Sequence, residues 1–360
     1  MKKIFFVLLI IIFIKNNAFA RVISGDAVIK KDIKEGIKIV ESCTLTFLNN
    51  RNIQIGNIKN SCPGIELALG VKLKIDIASK FNVKIYGGYY VEDNNEYDCA
   101  GIYVPPSSSL IIESQDDGKL IVYPFDRSAG IGGNGVLIEN NEKLKNNCDA
   151  GEIIINKGTV VIQNVLESSN YGLGAKIGGG GICNIDDNTQ ILCGGNLDKF
   201  HIEGGRLIIM GNCQQDKNGI GAMIGGGGIA NFNNEIESIR GGNLVEADIQ
   251  GGSIEIKDYS EIPGVGAKIG GGGIYNCGKA CSIKKGRVFL VNEYDTVDIN
   301  DNENVYGNGS IYNNGDKIEN GVQIKDIITN YKTLKNYLVE KFVDVAMLIS
   351  GVFMIFELVT

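Results

Sequence analysis

Gly174–Ile182 reads Gly-Ala-Lys-Ile-Gly-Gly-Gly-Gly-Ile, and the same segment returns at Gly221–Ile229, with Met223 for the lysine, and at Gly266–Ile274. A degenerate copy, Ala129-Gly-Ile-Gly-Gly-Asn-Gly135, precedes them. The first isoleucine of each copy falls at 131, 177, 224 and 269, giving spacings of 46, 47 and 45. A catalytic loop occurs once per chain. A motif that recurs at a near-constant interval is architecture, and a period of this size marks a solenoid or repeat array.

Between the copies lie short β-branched runs such as Glu152–Ile155, Arg206–Met210 and Ser253–Ile256, each set off by a tight turn ending in glycine. These features predict strands and argue against helix, because each glycine costs a helix about 1 kcal/mol against alanine. The expected fold is therefore all-β, a parallel β-solenoid. A period of 46 is long for one coil, and the expectation is about two coils of roughly 23 residues per repeat. A propeller, with blades of about 40–45 residues, is the competing architecture; its usual Trp-Asp signature is missing, since the chain has no Trp.

In a solenoid, stacked corners need positive φ and a backbone approach that no Cβ permits. This is the role expected of Gly178, Gly179 and Gly180, of Gly225, Gly226 and Gly227, and of Gly270, Gly271 and Gly272. The flanking pairs Ile177/Ile182, Ile224/Ile229 and Ile269/Ile274 are expected to form interior ladders.

Residues 1–20 read as a secretory signal. Lys2 and Lys3 precede the apolar run Ile4–Ile14, and Ala18-Phe19-Ala20 is a small-x-small site that places cleavage after Ala20. Residues 21–60 are expected to cap a solenoid body spanning 61–300. A polar linker, 301–323, follows. The tail 324–360 has helical periodicity and ends in Val345–Phe356, an uncharged stretch suited to a cap helix, or to membrane association if it anchors.

Export makes the nine cysteines readable as disulfide candidates. Cys183 and Cys193 bracket an insertion, and both are replaced in the next copy, by Ala230 and Arg240. Cys277 and Cys281 flank a shorter insertion. Cys62-Pro-Gly-Ile and Cys99-Ala-Gly-Ile are 37 residues apart, and Leu67, Leu73 and Ile75 fall on Val104, Leu110 and Ile112 at the same offset. An odd total leaves one thiol free or intermolecular. Zinc is disfavoured, because there is no Cys-x-x-Cys and the single His lies away from the cysteines.

The net charge is −7, and loss of the three Lys of the signal takes it to −10, which excludes nucleic acid as the expected partner. A phosphate loop is absent. The acidic pairs Asp116/Asp117, Asp186/Asp187 and Asp295/Asp298 are the candidates for a polysaccharide hydrolase or lyase. Asp186/Asp187 sits in an insertion whose counterpart is Asn233/Asn234 and also reads as a solvated loop, and His201, aligned with Asp248, reads as an exposed strand residue. No cofactor is expected; Ca2+ held by the acidic turn Asp295–Asp301 is the one weak candidate. Tyr89, Tyr90, Tyr103 and Tyr123 are candidates for stacking on sugars.

The Gly-Ala-x-Ile-Gly-Gly-Gly units, together with Cys99-Ala-Gly-Ile-Tyr-Val-Pro, resemble the glycine-rich, β-helix-like repeats of secreted surface and wall proteins, of bacterial adhesin-like or microbial spore-wall type. The resemblance covers roughly residues 61–300. It implies a structural or adhesive, non-enzymatic role in an extracellular wall or coat, with other wall proteins or extracellular polysaccharide as partners. It supplies no catalytic residues.

Overall fold

The computed structural model describes residues 20–319, excluding 49–51, 79, 116–117, 141–146, 164–172, 187, 211–219, 233–234, 258–265, 294–297, 300–304 and 314–315. At 298–299 and 316–319 it describes the backbone alone. The expected signal over 1–19 and the helical tail over 324–360 lie outside these residues. Among the described residues there are only strands, turns and loops.

One coil shows how the chain winds. Ile177–Gly178 enters the first sheet, Ile182–Asn184 and Ile191–Cys193 form a lobe, and Leu197–Ile202 and Arg206–Met210 build two further sheets. The next coil repeats every step in parallel register: Ile177 lies beside Ile224, Ile182 beside Ile229, Phe200 beside Ala247 and Leu207 beside Ile254. A 46-residue repeat is thus one coil. The expectation of two coils per repeat is corrected: the glycine-rich stretch opens a detour rather than a corner, and the detour supplies the extra length.

Three sheets of nine, eight and seven strands make a stem that runs through the described structure. Its earliest coils come from residues 21–60, where Arg21–Ile23 pairs with Ile37–Ile39 and Ala27–Ile29 with Cys43–Phe47. The segment expected to cap the solenoid therefore winds as part of it. The lobe, with sheets of eight and three strands, opens between the first and second stem sheets from Ile131–Gly132 onward, and its larger sheet is extended at one end by an earlier hairpin, Tyr89–Glu92 and Asn95–Asp98. Tyr306–Gly307 and Ile311–Asn313, from the region expected to be a polar linker, extend the first stem sheet and the lobe sheet by another rung.

The strands alternate inward apolar and outward polar residues, as in the Lys72–Ile77 strand, where Leu73, Ile75 and Ile77 are fully buried. The detour splits the interior in two. Ile177, Ile224 and Ile269 line the stem core, whereas Ile182, Ile229 and Ile274 line a separate core inside the lobe. Leu192, Ile236 and Ile239 close that second core from the three-stranded sheet.

Stem and lobe join at a narrow waist, where the outgoing and returning limbs of the chain pass each other. The Gly195 N–H donates to the Gly180 carbonyl at 3.1 Å, Gly227 to Gly195 at 2.8 Å, Gly242 to Gly227 at 3.0 Å and Gly272 to Gly242 at 2.9 Å. Gly286 and Gly309 continue the zigzag at 3.2 and 3.1 Å, and Gly180 begins it on the Cys148 carbonyl at 2.7 Å. A Cβ on Gly226 would lie 1.9 Å from the Gly242 oxygen, so a side chain is excluded by the opposite limb. Gly178 has a different constraint: its φ is +133°, and a Cβ there would lie 1.9 Å from the Gly225 oxygen of the next coil.

Asparagines extend the axial bonding. In the lobe, Asn184 Nδ2 donates to Asn231 Oδ1 at 2.9 Å, Asn231 to Asn276 at 2.7 Å and Asn276 to Asn313 at 2.6 Å. A second column runs through Asp149, Asn196 and Asn243, whose Nδ2–Oδ1 bonds measure 3.0 and 2.9 Å. Gly226→Ala is expected to cost more than about 3 kcal/mol of stability, in the range reserved for core-scale defects. Gly204→Ala, whose Cβ would meet only the Asn156 oxygen at 3.0 Å, is expected to stay within about 1 kcal/mol. Urea unfolding of both variants checks the contrast, and equal losses would refute the waist as the critical contact.

Candidate functional site

Of the residues weighed for chemistry, Asp186 and His201 are described with their side chains, and both are occupied by structural work. Asp186 is buried, accepts from Thr189 Oγ1 at 2.7 Å and from Asn188 Nδ2 at 3.4 Å, and so shapes its own loop. The solvated-loop reading of Asp186 is corrected accordingly. Asp116, Asp117, Asp187 and Asp295 lie outside the described residues, and Asp298 is described in its backbone alone.

His201 is 9% exposed rather than an exposed strand residue, because its neighbours on the second stem sheet close over it. Nδ1 lies 3.0 Å from Asp248 Oδ2, in the next coil, and Nε2 lies 3.3 Å from Glu203 Oε1. The imidazole links two coils, and both of its nitrogens are engaged by carboxylates. Among the described residues no group of three His, Cys, Asp or Glu side chains is arranged to hold a metal ion.

No disulfide joins two of the described cysteines. Cys183 and Cys193 do not face one another. Cys183 is buried under Leu173 and Ile220, which cross the outer face of the lobe sheet, whereas Cys193 is exposed on the three-stranded sheet beside Arg240. Cys277 and Cys281 are both exposed and free. Cys62 and Cys99 occupy equivalent places, since Ile65 pairs with Ile102, and burial pushes the Cys62 thiol up to about 11 with Glu66 adding to it. Cys99 is buried, and burial, with Cys62 beside it, raises its thiol as well. Cys213 lies outside the described residues.

No motif in the sequence marks the buried pair formed by Arg127 and Asp98. Arg127, in the loop before Ala129, reaches the hairpin strand Asn95–Asp98 that closes one end of the lobe sheet. Its Nε lies 2.7 Å from Asp98 Oδ2, its Nη2 2.9 Å from Glu96 Oε1, and its own N–H donates to Asp98 at 2.9 Å. Burial pushes the Asp98 carboxyl up to about 7, against the opposing pull of Arg127. The pair pins the hairpin to the stem.

The aromatic candidates separate into distinct environments. Tyr123 stacks on Tyr86 at 4.5 Å, Tyr89 on Phe125 at 4.8 Å and Tyr90 on Tyr97 at 5.0 Å, so their ring faces are used within the chain. Tyr103 is different. It pairs with Glu66 in the preceding coil and with Gly132 in the following one, which has no side chain to cover the ring. It lines a cleft of about 350 Å3 at the inside corner where the lobe first leaves the stem. Leu69, Pro105 and Pro106 form the apolar part of that cleft, and Glu66, Asn147 and Asp149 the polar part. Burial, with Cys148, Glu66 and Asp149 nearby, pushes the Tyr103 phenol up to about 12, so it remains a hydrogen-bond donor.

Comparison of the chain with protein-family models, with curated proteins and with solved structures finds no match.

An unfolded Asp titrates near 4, so the folded chain holds the Asp98 proton more firmly. This group therefore favours folding most below about pH 4, and the contribution is lost as pH rises through about 7. Urea unfolding at about pH 5 and about pH 8 is expected to show wild type losing stability across the interval. Asp98→Asn is expected to remove that part of the slope, and an unchanged slope would refute the assignment.

Proposed function

We propose that this chain is an exported structural or adhesive component of an extracellular wall or coat, of cell-wall or spore-wall type, and that it acts without catalysis. The observation that carries the reading is the continuous axial bonding from coil to coil. Stem sheets join every coil to the next, and from the coil that begins at Ile131 the glycine waist and asparagine columns add to them, so local opening there must break several ladders at once. A chain built this way suits a load-bearing role.

The resemblance of the Gly-Ala-x-Ile-Gly-Gly-Gly units to wall-associated repeats points the same way. Partners are other wall or coat proteins, or extracellular polysaccharide. Cys193, Cys277 and Cys281 are the exposed thiols among the described residues and are the groups offered for cross-linking to neighbours. Each lies in or beside the lobe, away from the stem core.

Extraction of intact cells or spores tests this. Wild type is expected to resist buffer and detergent and to be released when reductant is added. The variant carrying Cys193→Ser, Cys277→Ser and Cys281→Ser is expected in the detergent fraction without reductant. Wild type found free in the medium would overturn the wall reading.

A further inference from the structure

The cleft at the inside corner has a composition that none of the structural work explains. From Gly132 onward the first stem sheet carries glycine at the position that Glu66 and Tyr103 occupy in earlier coils. Tyr103 is therefore the last side chain before the surface steps under the lobe. Among the described residues its hydroxyl makes no hydrogen bond. Asn147 Oδ1, on the opposite wall, is a buried oxygen that also lacks a partner.

The two carboxylates differ in how they are held. Asp149 Oδ1 accepts from the Asn196 backbone at 2.7 Å and from its Nδ2 at 3.0 Å, which fixes the side chain. Glu66 is held from outside by Lys38 at 2.8 Å. Neither arrangement fills the cleft.

We propose that this cleft is a carbohydrate subsite for a neutral or amino-bearing pyranose unit of an extracellular polysaccharide; the setting, though not the site, rests on the wall reading. The Tyr103 ring, with Leu69 and the two prolines, offers an apolar floor for the C–H face of a sugar ring, as aromatic groups do in mixed apolar and polar sites. Glu66, Asp149 and the Asn147 oxygen are acceptors, which match hydroxyl or ammonium donors at the rim of that ring. The Tyr103 hydroxyl supplies a donor in return. Two carboxylates repel a third, so the site discriminates against uronic acids. At about 350 Å3 the cleft sits at the small end of the ~300–1,000 Å3 range for ligand sites. It takes one or two rings of a chain rather than a long segment.

The other aromatic pairs do not share this chemistry. Tyr86 and Tyr123 lie on the third stem sheet and stack on each other. They serve as an internal control.

Calorimetric titration of the purified secreted chain tests the proposal, with tetramers of β-linked glucose, N-acetylglucosamine and glucosamine, and a tetramer of galacturonate as the acidic probe. Wild type is expected to bind at least one of the first three and not the galacturonate. Tyr103→Ala is expected to weaken that binding about tenfold or more, a loss on the scale of ~1.4 kcal/mol. Tyr103→Phe is expected to retain the stacking part, and Glu66→Gln to weaken glucosamine more than glucose. Tyr123→Ala is expected to bind as wild type does. Circular dichroism and thermal unfolding identify any variant that fails to fold, and Glu66→Gln, at a partly exposed residue, then carries the test.

Absence of wild-type binding to every sugar overturns the proposal. So does preference for galacturonate, binding of a lysine-rich peptide in place of sugar, or a folded Tyr103→Ala that binds unchanged. These results are separable from the wall reading: a chain that binds no sugar yet leaves cells only with reductant is a wall protein without this subsite. A chain that binds sugar but is free in the medium keeps the subsite and loses the wall.

Discussion

The two-part build of this structure depends on two limbs of backbone passing within hydrogen-bonding distance at the waist. Opposing chains approach that closely only when no Cβ stands between them, and the Gly226 position, 1.9 Å from the opposing oxygen, leaves no room for one. The gain is that each buried N–H at the crossing finds a carbonyl, as buried backbone groups require. Without the waist the lobe has no way to leave the stem and return without stranding polar backbone in the interior. The split of the apolar interior into two cores follows from that crossing, and so does the burial of Cys148 beside it.

Much of the stem was legible in the sequence. The offset of 37 between Cys62 and Cys99 places Leu73 against Leu110 and Ile75 against Ile112, which is the register observed. The alignment of His201 with Asp248 is likewise a real cross-coil pair. What misled was the length of the repeat. Ile-Cys-Asn and Ile-Leu-Cys are three-residue strands with no alternation long enough to mark a lobe, and the extra length of the repeat reads instead as a second coil. A signal for it did exist: asparagine follows the second isoleucine by two places at 184, 231, 276 and 313. Read that way, Tyr306-Gly-Asn-Gly-Ser-Ile-Tyr-Asn313 is a further copy and not a linker.

The candidate cleft was legible only in one residue. Tyr103 stood out as an aromatic, but Glu66 from the coil before it and Asn147 and Asp149 from the coil after it come together only in the fold, and nothing local marks them. The same holds for Arg127 and Asp98, which lie 29 residues apart and meet only because the hairpin folds back onto the lobe. Sequence periodicity reports what repeats. Both of these clusters occur where the repeat is broken, at the coil where the lobe starts, and such places are read only in three dimensions. The polar columns behave in the opposite way, since Asn196 and Asn243 recur at the repeat spacing and each is satisfied by its neighbour.

The hairpin held by Arg127 has a counterpart at the other end of the lobe. The lobe sheet is parallel through its middle and antiparallel at both limits, where Tyr89–Glu92 pairs with Asn95–Asp98 and Ile311–Asn313 pairs with Asp316–Glu319. A parallel stack left open offers the same rung to any similar strand that arrives, and edges of that kind invite runaway polymerisation. Turning the chain back on itself reverses the polarity of the last strand, so the rung offered to a newcomer no longer matches the one it would extend. The lobe sheet therefore ends at both limits in a reversed strand and not in an open parallel rung.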